Sequence, residues 1–218
     1  MCFSATTSFV AAGVTAVVGI VSLSRAKAPR ELPLAAIPLV FALQQGIEGL
    51  LWLNLPLAPD GPISTGLTFL FLFFAEVFWP VYAPMAAMLI EPNQKRRKRM
   101  LFCLAVGVGV GVCLLWWILS RAHGAVIHAG HIVYATGDRY FDAVALVYVA
   151  ATGVPLVLSS QRAVVVLGAI ILTGSAIAYV SYWAAFVSVW CFFAAAASVV
   201  ILCHFEWSRR RRLRIAGA

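Results

Sequence analysis

Apolar runs of about 20 residues, each long enough to cross a bilayer as a helix, recur from one end of this chain to the other. The stretches between them are too short to form a separate soluble domain. Of the 218 residues, 63% are hydrophobic and 11% charged, where a soluble domain carries about 25% charge; the mean hydropathy is +0.96. The expected fold is an all-α integral membrane bundle of seven transmembrane helices. Its spans are expected at residues 5–24, 33–55, 66–90, 100–120, 140–158, 163–183 and 184–203, with domain limits 1–208 and a basic tail at 209–218. The division at 183/184 is the weakest, because "SYWAAF" holds no charge and no strong turn residue.

Basic residues set the orientation. Fourteen of the sixteen Lys and Arg fall after spans one, three and five and in the tail: Arg25, Lys27, Arg30, "KRRKR" at 95–99, Arg162, Arg209 to Arg212 and Arg214. The opposite side receives Arg121 and Arg139. By the positive-inside bias the N-terminus is outside and the C-terminus cytoplasmic, in the plasma (inner) membrane. The first run has no basic residue before it and several after it, so it reads as a retained helix rather than a cleaved signal. The juxtamembrane arginines suit anionic lipid headgroups, each worth about 1 kcal/mol near the surface; their placement argues against nucleic acid as the partner.

Ionisable residues inside apolar spans are costly and tend to mark sites or pathways. Glu48 lies in "FALQQGIEGLLW" and Glu76 in "FLFLFFAEVFWP". Gln44 and Glu48 are four residues apart and Gln45 and Glu48 three, so one helical face carries two amides and a carboxylate, with Trp52 a turn further out. Pro80 has no N–H for the carbonyl of residue 76 and crowds it, which predicts a kink and a free carbonyl beside the second acid. Adjacent antiparallel helices would bring the two acids together in the outer half. Two readings fit: hydrogen-bonded glue between helices, or a functional pair carrying protons or holding a cation.

The outer segment "RAHGAVIHAGHIVYATGDRYFD" holds His123, His128 and His131. Residues 128–134 are too apolar for a solvated loop and should fold back on the bundle as a short helix or hairpin; in a helix His128 and His131 would share a face, and along one strand they would not. Cys2 is the one thiol expected on the outer side, and either a reactive group or a simple cap. Imidazole, carboxylate and thiolate together form a zinc-type ligand set: Glu48, Glu76, His128, His131 and Cys2 are the candidate metal ligands. Gln44, Gln45, Tyr134 and Asp142 are candidates to line the same site. A metal there would activate water for hydrolysis, with one glutamate as general base; loss of Met1 would make Cys2 an N-terminal nucleophile. The rival reading is a carrier or sensor that binds a proton or cation at Glu48 and Glu76. Gly107, Gly109 and Gly111 have the spacing of close helix packing, not of a phosphate cradle. A retinal protein is excluded, since residues 184–203 contain no lysine.

The segments "MCFSATTSF", "IPLVFALQQGIEGLLW", "FFAEVFWPVYAP" and "GHIVY" together resemble a group of bacterial multi-pass membrane proteins, a family of unknown function whose members begin Met-Cys-Phe-Ser. The resemblance covers nearly the whole chain and implies a membrane bundle without an assigned activity. It also implies two adjacent histidines where this chain has "HAGH", with Ala129 and Gly130 between them.

Overall fold

The computed structural model describes residues 4–121, 123–135, 141–181 and 197–210. Helices dominate it, running back and forth between two ends. One end carries a β-hairpin; the other carries the basic clusters. Helix α1 spans Ala5–Arg25, with Ser4 as its N-cap accepting from the Thr7 N–H at 3.2 Å. Cys2 lies outside the described residues. α2 is Leu32–Asn54. The third run is one continuous helix in three parts: α3 (Pro62–Leu72), a π-helical segment (Phe73–Phe78) and α4 (Trp79–Ile90). α5 spans Gln94–Ser120, α6 Phe141–Val157 and α7 Arg162–Ser181, and residues 197–210 form a further helix. The expected boundary at 183/184 lies outside the described residues.

Four helical stretches, Ala5–Arg25, Pro29–Asn54, Pro62–Ile90 and Gln94–Ser120, are long and apolar enough to cross a membrane. Two helices outrun their expected limits for local reasons. α5 starts before its apolar run because Asn93 caps it, accepting from the N–H groups of Lys95 and Arg96, so "KRRKR" forms helical turns instead of a loop. The last helix continues past residue 203, where Glu206 pairs with Arg209 and Arg210 at 3.7 and 3.4 Å on the next turn and with Arg25 of α1 at 3.5 Å.

Helix α1 has the inverse of the side-chain distribution of a water-soluble helix. Ser8, Thr15, Gly19 and Ser22 are buried, while Val10, Val14, Val17 and Ile20 point outward. Two of the inward hydroxyls satisfy themselves on their own helix: Thr15 Oγ1 donates to the Ala11 carbonyl and Ser22 Oγ to the Val18 carbonyl, each at 2.7 Å. Small residues also let backbones approach. A Cβ on Gly107 would lie 1.9 Å from the Pro80 carbonyl oxygen, and one on Gly111 3.1 Å from that of Val77. Gly107 and Gly111 thus seat α5 against the backbone of the third helix. Gly109, two residues away, has nothing within 4 Å of that position.

Strands β1 (Gly124–His128) and β2 (His131–Ala135) pair antiparallel, with His128 opposite His131. Ala129 (φ 48°) and Gly130 (φ 75°) make the two-residue turn, and two positive φ values in a row define the hairpin turn that follows strand twist. Alanine resists that conformation, by about 1 to 2 kcal/mol in the left-handed region, whereas asparagine tolerates it. Ala129→Asn should therefore slow amide exchange across the hairpin and raise the thermal midpoint slightly; an unchanged or faster exchange would mean the turn is not of this type.

Candidate functional site

Glu48 and Glu76, the two acids within the apolar helices, can be placed by a bond neither of them makes. Trp79 Nε1 donates to Gln44 Oε1 at 2.8 Å, and the Trp79 ring stacks on Phe41 with centroids 4.1 Å apart. This joins α2 to the third helix at a defined level. Because the two run antiparallel, Glu48, four residues after Gln44, and Glu76, three before Trp79, both lie toward the hairpin end. At 1.5 Å per residue they sit about 6 and 4.5 Å beyond the tryptophan. The two acids thus stand at similar levels along neighbouring helices.

Their surroundings differ. Glu48 is fully buried and accepts from Gln45 Nε2 at 3.2 Å, so the amide and carboxylate of the α2 stripe form a bonded unit. Glu76 is 7% exposed, and its Oε2 has no hydrogen-bond partner among the described residues. Trp52 Nε1 and Ser8 Oγ, on α2 and α1 toward the same end, are likewise buried without a partner among them. A buried carboxyl oxygen left unbonded costs more than its absence would. That makes Glu76 the residue here that packing explains least.

Glu76 stands inside the π-helical segment, a wide turn that recurs at functional sites. Pro80 accounts for it. With bonding five residues apart, the next carbonyl in line, that of Ala75, meets a proline nitrogen that has no hydrogen. Tyr148 of α6 supplies the donor instead, its hydroxyl lying 2.5 Å from the Ala75 oxygen. The sequence pointed to the carbonyl of residue 76; the carbonyl capped from another helix is that of residue 75.

The hairpin covers this end of the bundle. Tyr134 stacks on Phe71 with centroids 4.6 Å apart, and His123 lies against Phe69 at 5.9 Å. His128 and His131, which a single strand would set on opposite faces, become directly opposed neighbours across the turn, and opposed residues share a face. "HAGH" thereby restores in space the adjacency that Ala129 and Gly130 interrupt in sequence. Burial holds the His131 imidazole below its ordinary pKa, which keeps it neutral, the form that binds metals. Among the described residues no three His, Cys, Asp or Glu side chains come close enough to hold one metal ion; Cys2 and the Asp142 side chain lie outside those residues.

A second polar cluster, at the basic end, has no counterpart in the expectations. Glu91, just past α4 and 4% exposed, accepts from the Ser159 hydroxyl at 3.0 Å, from the Ser160 N–H and hydroxyl at 2.7 Å each, and from the Asn93 N–H at 3.0 Å. Arg96 Nη1 donates to the carbonyls of Leu158 and Ser159 at 2.9 and 3.0 Å. One acid and one base thus grip the turn between α6 and α7. In sequence, Glu91 shows only as an acid before Pro92 at the end of an apolar run.

Burial alone would raise the Glu91 carboxyl, but its hydrogen bonds, led by those from Ser160, hold it below the ordinary value. A depressed folded-state pKa means the stabilisation is complete above the unfolded value, about 4.3, and lost as pH falls through the lower folded value. Acidification below about pH 4 should release this turn, visible as fast amide exchange at residues 158–161. Glu91→Gln should remove that acid-dependent step and cost about 2 kcal/mol at neutral pH.

The chain is mostly helical, and four of its helical stretches have the length and apolar composition of membrane spans. The chain is a member of DUF6629, a family of unknown function that matches residues 1–217. No curated protein and no solved structure matches it significantly.

Proposed function

We propose that this is a bacterial plasma-membrane protein of seven crossings, N-terminus outside and C-terminus cytoplasmic, that binds a proton or small cation at Glu48 and Glu76 as a carrier or sensor. The outward-facing Val10, Val14, Val17 and Ile20 of α1 support lipid contact, and the basic end suits the anionic headgroups of the inner leaflet. The observation that carries the site is the unpartnered Glu76 Oε2, buried at the level of Glu48 inside a π-helical turn. Two buried carboxyls at one level on neighbouring helices make a site for positive charge.

In liposomes, wild-type protein should support or respond to a pH- or sodium-dependent gradient, and Glu76→Gln, which keeps size and loses charge, should abolish the dependence. If the variant retains the full pH and sodium response, the acid pair is not the site.

The facing His128 and His131 favour a second reading, a zinc-type centre with a hydrolytic role, in which the two imidazoles would be joined by Cys2 or a glutamate. Protein purified without chelator would then hold stoichiometric transition metal, and His131→Ala would lose it. Metal-free protein whose thermal midpoint ignores added zinc rules this reading out.

A further inference from the structure

The α6–α7 hairpin is closely packed within itself, and α6 also lies against α4 and α5. A Cβ on Gly168 would lie 2.7 Å from Leu156 Cβ and 2.9 Å from the Val157 nitrogen, and one on Gly153 2.3 Å from Leu172 Cδ2. Helices this close have no slack between them, and the pair is constrained to move as a unit.

Facing it across a small cavity are α2 and α4. Ile37, Phe41, Trp79 and Ala83 line one wall; Thr152, Leu156, Leu167 and Ile171 line the other. The polar groups of that lining bond within their own walls: the Thr152 hydroxyl donates to the Tyr148 carbonyl of its own helix at 2.8 Å, and the Trp79 indole to Gln44. No hydrogen bond crosses the cavity at this level among the described residues. The two walls meet there through apolar contact alone, which is non-directional and tolerates sliding.

Polar ties lie at both ends of the cavity. Toward the hairpin end, the Tyr148 hydroxyl donates to the Ala75 carbonyl, one helical turn before the cavity residue Thr152 and four residues before Trp79. Toward the basic end, Glu91 and Arg96 grip residues 158–160, starting two residues beyond Leu156. Between them stands the Trp79 ring, whose stacking on Phe41 and bond to Gln44 separate the cavity from the level of Glu48 and Glu76.

We infer that the Glu91–Arg96 clamp on the 158–161 turn is a gate: released, it lets the α6–α7 hairpin swing from α4 and opens the central cavity toward the basic end, while the Tyr148 tie serves as the pivot. The inference does not depend on Glu48 or Glu76 binding anything. Domain rocking of this kind needs a rigid body, an apolar sliding surface and a closure that can break, and each is present here. A purely structural clamp would hold the turn and nothing else.

Hydrogen–deuterium exchange on the full chain in lipid nanodiscs separates the two. Ser160→Ala removes one hydroxyl donor and keeps the backbone bond to Glu91; Arg96→Gln keeps all of the Glu91 bonds and weakens the grip on the carbonyls. Both variants should exchange about ten-fold faster or more at 83–87 and 152–157, the turns that flank the cavity, with residues 34–41 of α2 unchanged. Faster exchange confined to 91–93 and 158–161, in either variant that remains folded, overturns the gate. So does unchanged exchange at 83–87 and 152–157 in Arg96→Gln when Ser160→Ala fails to fold. Loss of the proton or sodium response in Glu76→Gln would leave these exchange patterns as they are, so the two readings fail separately.

Discussion

Gly107→Ala is expected to destabilise the protein by about 3 kcal/mol or more, at the upper end of overpacking costs, whereas Gly109→Ala, two residues away, should be neutral or stabilising by up to about 1 kcal/mol. The added carbon at 107 would stand 1.9 Å from the Pro80 carbonyl oxygen and 2.8 Å from its carbonyl carbon. Both are backbone atoms, so no rotamer change relieves the contact. α5 would have to withdraw from the third helix, and the Gly111 contact with the Val77 carbonyl at 3.1 Å would open with it. At 109 the new methyl meets open space, and the loss of glycine's unfolded-state freedom favours the helix. Thermal midpoints of the two variants in one detergent give the answer. Equal effects would mean that α5 does not approach the third helix through this face.

The second large effect concerns two acids whose removal should act with opposite signs. Glu76→Met should raise stability by about 1 to 2 kcal/mol while removing the proposed proton or cation response, because an apolar side chain of similar length replaces a buried oxygen that has no partner. Glu48→Met should lower stability by about 1 to 3 kcal/mol, since it strands the Gln45 amide that now donates to the carboxylate. Unfolding midpoints compared in the same bilayer mimic check this pair. Two shifts of the same sign would show that the acids are equivalent, either both structural or both exposed to a shared water.

Much of the helical layout was legible along the chain because hydropathy is local: a span declares itself by the residues it contains. The ends were less so. The helical start at Gln94 depends on Asn93 offering its side chain to two amides, and the extension to residue 210 depends on Glu206 meeting arginines one turn later and Arg25 of another helix. Pro80 announced a disturbance in the third helix, but its form could not be read from spacing. The wide turn leaves the Ala75 carbonyl to a donor from α6, Tyr148, which is 73 residues away. The hairpin was one of two conformations that the apolar histidine segment allowed. Its register alone makes His128 and His131 neighbours.

By itself, then, the sequence determined that the chain forms long apolar helices, which ends carry the basic residues, and that Glu48 and Glu76 are the groups most out of place. These are properties of single residues and their near neighbours, set by the cost of charge in apolar surroundings. The tertiary structure decided which acid is bonded and which is not, because hydrogen-bond partners such as Gln44 and Trp79 come from helices 35 residues apart. It decided as well that Glu91, unremarkable in the chain, holds the turn between α6 and α7. A carboxylate's role depends on which donors the fold brings to it, and in this protein those donors lie 68 and 69 residues further along the chain.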